Sequence, residues 1–153
     1  MPARRAIPLL AVVLAVAAPS APAGAAVKRG TFAGATSKGD PIGLKVDRRA
    51  RVYSFHFSAV TLTCTDGDSV ETPERIATPR RERFRIVRGR FGISARNRTT
   101  GFRWDARGRF RSRGRRATGI LTLSQTFDED NRQDPDGSIR CESGPLTWTA
   151  RRR

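Results

Sequence analysis

Apolar and polar residues alternate with a period of two along most of this 153-residue chain, and clusters of Gly, Pro, Asn and Asp interrupt the alternation. The pattern is strict over residues 42–46 and again over residues 91–95. Because successive side chains of a strand point to opposite faces, it predicts strands with one buried face. No convincing helical period follows residue 26. We therefore predict an all-β fold, a single antiparallel β-sandwich or flattened β-barrel of about eight to ten strands.

The apolar pattern also predicts irregularities and a core. The long run over residues 51–64 changes parity, and a β-bulge near residues 58–59 would restore its register. The last strand changes parity at residues 144–145, and it is expected to pair with the first strand or with the strand that holds Cys64. Residues 69–79 carry two prolines, which favours an edge strand or a loop. The predicted core consists of Phe32, Ile42, Leu44, Tyr53, Phe55, Leu62, Phe84, Ile86, Phe91, Ile93, Trp104, Phe110, Leu121, Leu123 and Trp148.

Residues 1–25 have the three parts of a secretory signal peptide: a pair of arginines, an apolar run over residues 7–18, and small residues up to the expected cleavage after Ala25. The arginine pair also loosely matches a twin-arginine signal. The apolar run is too short for a bilayer about 30 Å thick, which needs roughly 20 apolar residues. We therefore expect residues 26–153 to be secreted as a single all-β domain with no transmembrane segment.

The chain has only two cysteines, Cys64 and Cys141. In an exported protein two cysteines most often form one disulfide. A bridge between them would close a loop of nearly 80 residues, which the chain-entropy model values at roughly 4 kcal/mol. An intermolecular pair and two free thiols are the alternatives. Two cysteines and one histidine, far apart in the sequence, are poor metal ligands, so neither a zinc site nor a cofactor is predicted.

Both ends of the mature chain carry recognisable spacings of Gly, Thr and aromatic residues. Residues 30–42 (GTFAGATSKGDPI), 117–121 (ATGIL) and 141–151 (CESGPLTWTAR) resemble the corresponding parts of small secreted β-proteins common in actinobacteria. The resemblance covers most of the mature chain. It implies an exported all-β domain with a cysteine pair, and it implies no activity.

Positive charge is concentrated in residues 80–116, which hold 15 arginines against two acids, a net charge of +13. Many of these arginines alternate with other residues, in two sets: Arg81, Arg83 and Arg85, and Arg107, Arg109, Arg111, Arg113 and Arg115. Next-but-one side chains of a strand share a face about 6.7 Å apart, so each set predicts an outward row. Two adjacent rows would attract polyanions, because guanidinium groups bind phosphate and carboxylate bidentately. The alternative is a solvated face whose arginine content reflects a GC-rich genome.

The sequence contains few residues that could form a catalytic site. Acid–base or nucleophilic catalysis needs a base, a nucleophile or paired carboxylates in register. His56 is the only histidine, and it lies on the face of its strand opposite to Phe55 and Phe57. Without a second histidine or a free cysteine, a Ser-His-Asp or Cys-His arrangement is not expected. We predict that the chain is not an enzyme.

Residues 128–137 contain five of the 14 acidic residues. Calcium prefers clustered carboxylate and carbonyl oxygens. However, an alignment of Gly137 with the invariant glycine of an EF-hand loop puts Arg132 at the first position of the loop. It puts Ser143 at the twelfth position, where a bidentate Glu is needed. A polar hairpin loop is therefore favoured, and no metal site is predicted.

These features predict a secreted or envelope-associated binding domain. Its leading partner is an anionic cell-wall polymer or another extracellular polyanion. Sequence-specific nucleic-acid recognition is not expected, because the aromatic residues lie on the core parity and form no stacking platform. Two alternatives stay open: a secreted protein or enzyme inhibitor that uses a loop or an edge strand, and a calcium-dependent carbohydrate-binding module that uses residues 128–137. The pattern does not determine the oligomeric state.

Overall fold

A computed structural model describes residues 27–73, 75–78 and 81–153, and the predicted signal peptide lies outside them. The described residues form an antiparallel all-β structure, which confirms the predicted fold class. Its strands are β1 (Gly30–Thr36), β2 (Pro41–Val46), β3 (Arg51–Phe57), β4 (Thr61–Cys64), β5 (Ser69–Glu71), β6 (Ile76–Ala77), β7 (Phe84–Arg85), β8 (Arg90–Arg96), β9 (Arg103–Arg111), β10 (Arg116–Phe127), β11 (Ile139–Glu142) and β12 (Leu146–Arg152). They outnumber the prediction because β5, β6 and β7 are too short to show an alternation. Among the same residues, no helix is long and apolar enough to cross a membrane.

All these strands belong to one sheet, and β10 is its centre. On one side of β10 the sheet continues through β9 to β8. On the other side, β10 has two partners. Its first half pairs with β12, from which the sheet continues through β1 and β2 to β3. Its second half pairs with β11, from which the sheet continues through β4 to β5. Both β6 and β7 pair with β3. Within the described ranges no ladder joins β8 to β6 or β7, so the sheet is not closed.

The sheet curls until its two ends face each other across one core. Phe55 of β3 stacks on Trp104 of β9 with ring centroids 5.8 Å apart, although β2, β1, β12 and β10 lie between these strands in the sheet. Phe91 of β8 and Trp148 of β12 also contact Phe55, at centroid distances of 6.5 and 5.7 Å. The aromatic side chains of distant strands therefore hold the two layers together.

The predicted core is buried except for Tyr53, Phe84 and Ile86, which are half-buried. The pairing of β2 with β3 shifts by one residue between Lys45 and Val46, and Tyr53 is the extra residue on β3. This bulge turns the Tyr53 ring away from the core. Outside the core, the Arg83 guanidinium lies over the ring, with its Cζ atom 5.3 Å from the ring centroid. Phe84 belongs to β7 and Ile86 follows this strand, and both side chains lie at the margin of the core.

The parity change in residues 51–64 does not come from a bulge, so that prediction is wrong. The chain leaves the sheet after Phe57, and Ala59 has a φ of 56°. The run is thereby divided into β3, which pairs with β2, and β4, which pairs with β11. The predicted irregularity at residues 144–145 is confirmed, since Gly144 has a φ of 63° between β11 and β12. The last segment therefore pairs with both expected partners, through β12 with β1 and through β11 with β4.

The predicted intramolecular disulfide is confirmed. Cys64 of β4 and Cys141 of β11 lie directly opposite each other in neighbouring strands, and their Sγ atoms are bonded at 1.96 Å. The bond connects residues 77 positions apart. It fastens the hairpin of β4 and β5 to the end of the sheet.

Two glycines on the inner face make room for two large rings. Phe91, Gly108, Gly119 and Trp148 follow one another across β8, β9, β10 and β12. A Cβ atom on Gly108 would lie 2.9 Å from Trp148 Cη2, and one on Gly119 would lie 2.6 Å from Trp148 Cζ2. The rings of Phe91 and Trp148 fill this space, with centroids 6.2 Å apart. This packing determines which residues of β9 and β10 face outwards.

Candidate functional site

The strand β9 carries three of the predicted arginines in one outward row. Trp104, Ala106, Gly108 and Phe110 are buried, whereas the alternating side chains of Arg107, Arg109 and Arg111 are exposed. The predicted row was longer, but it ends at Arg111 because residues 112–114 form a 3₁₀ turn with positive φ at Ser112 and Arg113. Arg113 and Arg115 are exposed in and after this turn, at the end of the row rather than in it.

The strand register adds three arginines that the sequence did not single out. Arg90 of β8 lies directly opposite Arg109. Arg116 of β10 lies directly opposite Arg111 on one side and Arg151 of β12 on the other. The arginine face is defined here as the outward side of β8, β9, β10 and β12 that these side chains cover: Arg90, Arg107, Arg109, Arg111, Arg116 and Arg151.

The arginine face contains three directly opposed pairs of like charge, Arg90–Arg109, Arg111–Arg116 and Arg116–Arg151. Such cross-strand pairs destabilise a sheet unless counter-charges lie between them. None of the six side chains forms an ion pair within the part of the chain that the structure describes. The nearest acid along β9, Asp105, is paired with Arg103 at 3.2 Å and accepts a hydrogen bond from Ser94. The repulsion within the face is thus left for solvent ions or a ligand to relieve.

Uncharged residues fill the positions between the arginines. Thr118 of β10 lies opposite Arg109, and Ile120 lies opposite Arg107. The side chain of Ile120 is 47% exposed, which is unusual for an aliphatic residue in this fold. The face therefore combines a dense positive field with one accessible apolar contact.

The second predicted row does not adjoin the first. Arg85 belongs to β7 and lies opposite Arg51 of β3, and Arg83 lies over the Tyr53 ring. Arg81 is exposed in the turn before β7. Of the predicted row, Arg83 alone lines an open cavity of about 430 Å³ in this region, together with Arg29, Asp47, Arg48, Arg49, Arg51 and Tyr53. The expectation of two adjacent rows is therefore wrong, because β7 pairs with β3 whereas β9 pairs with β8 and β10.

His56 lies on the outer face of β3, half-buried over Gly43 of β2. Burial, followed by the positive charges of Arg75 and Lys45, lowers the pKa of His56 below its ordinary value of 6.5. Its buried Nδ1 atom has no hydrogen-bond partner among the described residues. The ring covers a glycine in the sheet, and its surroundings are cationic.

The acidic loop uses its carboxylates to shape its own backbone. Asp128 Oδ1 accepts hydrogen bonds from the backbone N–H groups of Asp130 and Arg132, at 3.0 and 2.8 Å. Asp134 Oδ1 accepts one from Asp136, at 2.9 Å. In the described ranges of the chain, no three His, Cys, Asp or Glu side chains are grouped so that they could hold a metal ion. The calcium-dependent alternative gains no support from this placement.

The chain matches no known protein-family model, and no curated protein matches its sequence.

The opposed arginines lead to a stability prediction. Arg116→Gln removes the side chain that faces both Arg111 and Arg151, so we expect the melting temperature to rise by a few degrees at low salt. The gain should shrink at high salt, where the repulsion is screened. Arg98→Gln is the matched control, because it removes one exposed charge from a turn away from the arginine face. Thermal unfolding followed by circular dichroism tests this, and an equal shift for both variants would contradict it.

Proposed function

We propose that this chain is a secreted, non-enzymatic binding domain that attaches to an anionic polymer of the cell envelope or its surroundings through the arginine face. The observation that carries the proposal is the set of three directly opposed arginine pairs without carboxylate partners among the described residues. An arrangement that opposes folding is retained most readily when a ligand supplies the missing negative charge. The disulfide and the signal-like segment over residues 1–25 support a location outside the cytoplasm.

The spacing of the face suits a repeating anion. The arginine side chains of β9 leave the backbone about 6.7 Å apart, and neighbouring strands are about 4.8 Å apart. A flexible polymer with a phosphate or carboxylate on each repeat can place several anions among them at once, each bound bidentately by arginine. The face presents no aromatic ring among the described residues, since the rings of β8, β9 and β12 point into the core. Recognition would therefore depend on charge and spacing rather than on base stacking.

The direct test is binding of the purified mature protein to wall teichoic acid, heparin and single-stranded DNA over a series of salt concentrations. We expect tight binding whose affinity falls steeply with the logarithm of the salt concentration, because bound polymer releases counterions. The triple variant Arg109→Gln, Arg111→Gln, Arg116→Gln should lose at least tenfold in affinity and show a shallower salt dependence. The polymer retained best at physiological salt identifies the partner class.

A matched control separates the face from total charge. The variant Arg48→Gln, Arg49→Gln, Arg85→Gln removes the same number of charges from the region around β3 and β7. It should bind the polymer nearly as well as the unmodified protein. An equal loss in both triple variants would show that net charge alone causes the binding, and an absence of binding at physiological salt would refute the proposal.

A further inference from the structure

The strand β8 is an edge strand whose outer edge is free over most of its length. Asn97 N–H donates to the Phe102 carbonyl and Phe110 N–H donates to the Gly89 carbonyl, both at 2.8 Å. Because hydrogen bonding in an antiparallel ladder alternates along the strand, the odd-numbered residues of β8 bond to β9 and the even-numbered ones point to the other edge. Arg90 confirms this alternation, since it exchanges both of its backbone hydrogen bonds with Val87 on that edge, at 2.8 and 2.9 Å.

The next even-numbered residues have no such partner. Gly92, Ser94 and Arg96 therefore direct their N–H and C=O groups to the free edge, where the described part of the chain supplies no backbone partner. Three successive hydrogen-bonding residues form a template for an added strand of five or more residues. The outward side at Gly92 is open, because a Cβ atom built there meets nothing within 4 Å.

A cleft lies beside the end of this edge, where the sheet fails to close. It has a volume of about 470 Å³ and separates Ala95 and Arg96 of β8 from Ile76 and Ala77 of β6. Phe102 and Trp104 contribute apolar wall, and the buried Gln125 and the exposed Arg75 contribute polar groups. Volumes of this size accommodate small ligands or a few side chains.

We propose that the free edge of β8 binds an extended peptide as an added antiparallel strand, with acidic and apolar residues in alternation. Peptide residues opposite Gly92, Ser94 and Arg96 would lie on the outer face, near the guanidinium groups of Arg90 and Arg96. These positive charges favour carboxylate side chains at those peptide positions. Residues of the other parity would lie beside Phe91, Ile93 and Ala95 on the inner face, next to the cleft, which favours apolar side chains. This site goes beyond the proposed function, because it uses the backbone edge of β8 and a protein partner, and it shares only Arg90 with the arginine face.

A second copy of the chain fits this edge poorly. Pairing of two β8 edges in antiparallel register would place the arginines of one strand near those of the other, and like charges across a ladder are unfavourable. The two arginines thus disfavour self-association while they favour an acidic partner.

The test uses a synthetic seven-residue peptide, capped at both ends, that alternates glutamate with valine. Titration calorimetry with the full mature protein should detect binding, and the amide resonances of residues 90–97 should shift. The glutamate amides of an added antiparallel strand face β8, so N-methylation of these amides should weaken binding at least tenfold. N-methylation of the valine amides instead should have little effect.

Variants of Ser94 test the same geometry from the protein side. Ser94→Pro removes the N–H group that faces the free edge and leaves the ladder with β9 intact, so it should lose peptide binding at least tenfold. Ser94→Ala is the control, because it also loses the hydrogen bond to Asp105 but keeps the backbone donor. The triple variant Arg109→Gln, Arg111→Gln, Arg116→Gln leaves the backbone edge of β8 unchanged, so it should still discriminate between the two N-methylated peptides, which separates this site from the arginine face. The proposal is overturned if the peptide does not bind. It is also overturned if the two N-methylated peptides bind equally well. This comparison of peptides needs only the unmodified protein, so it holds even if Ser94→Pro does not fold.

Discussion

Replacement of both Cys64 and Cys141 by alanine is expected to lower the free energy of unfolding by about 4 kcal/mol, because the bond closes a long loop in the unfolded chain. Net stabilities of small domains are about 5–15 kcal/mol, so this is a large fraction of the total. Urea denaturation of the double variant and of the unmodified protein measures the difference.

We expect the loss of stability to affect the hairpin of β4 and β5 before the rest of the fold. Only two residue pairs, Cys141–Cys64 and Glu142–Thr63, join β4 to β11, and a hydrogen bond from Thr65 N–H to the Arg140 carbonyl extends the contact at 2.9 Å. Without the bond, we expect amide hydrogen exchange of residues 61–71 to accelerate more than that of β9 and β10. Reduction of the unmodified protein should reproduce the behaviour of the double variant. An unchanged urea midpoint would show that pairing of the strands alone holds the hairpin.

Gly119→Ala is expected to destabilise the fold by about 3 kcal/mol, near the upper end for overpacking. The new Cβ atom would collide with the backbone carbonyl oxygen of Arg107 and would lie 2.6 Å from Trp148 Cζ2. The carbonyl belongs to the ladder between β9 and β10, so it cannot move away without loss of strand pairing. Urea denaturation gives the free energy, and near-ultraviolet circular dichroism reports the displacement of the tryptophan.

Gly92→Ala is the matched control for this substitution. Gly92 is also a strand glycine of the same sheet, but nothing lies within 4 Å of a Cβ atom built on it. We expect a change within about 0.5 kcal/mol, as for most surface substitutions. Equal effects of the two alanines would mean that strand propensity, rather than the space beneath Trp148, decides the outcome.

The alternation of residue types was sufficient to predict the class of fold and the direction of many side chains. On β9, Trp104 and Phe110 point inwards and Arg107 and Arg109 point outwards, as their spacing requires. The disulfide was also predictable, because a chain with only two cysteines has one possible intramolecular pairing. Both inferences depend only on local geometry or on the number of cysteines.

The candidate site was less predictable. Of the two predicted arginine rows, only Arg107, Arg109 and Arg111 belong to the arginine face. Arg90, Arg116 and Arg151 come from other strands and are placed there by cross-strand register. A shift of one residue in a strand would move each of them to the opposite face, and packing of the buried face determines that register. No short-range pattern in the sequence contains this information.

The period of two is a property of the local backbone, so it is enough to predict that the chain forms β-strands and largely which side chains of each strand point into the core. The local pattern does not contain the division of residues 51–64 into two strands with different partners, or the position of β9 between β8 and β10. These choices depend on contacts between distant residues, such as the Phe91 and Trp148 rings that meet over Gly108 and Gly119. The arginine face and the free edge of β8 are both consequences of that packing.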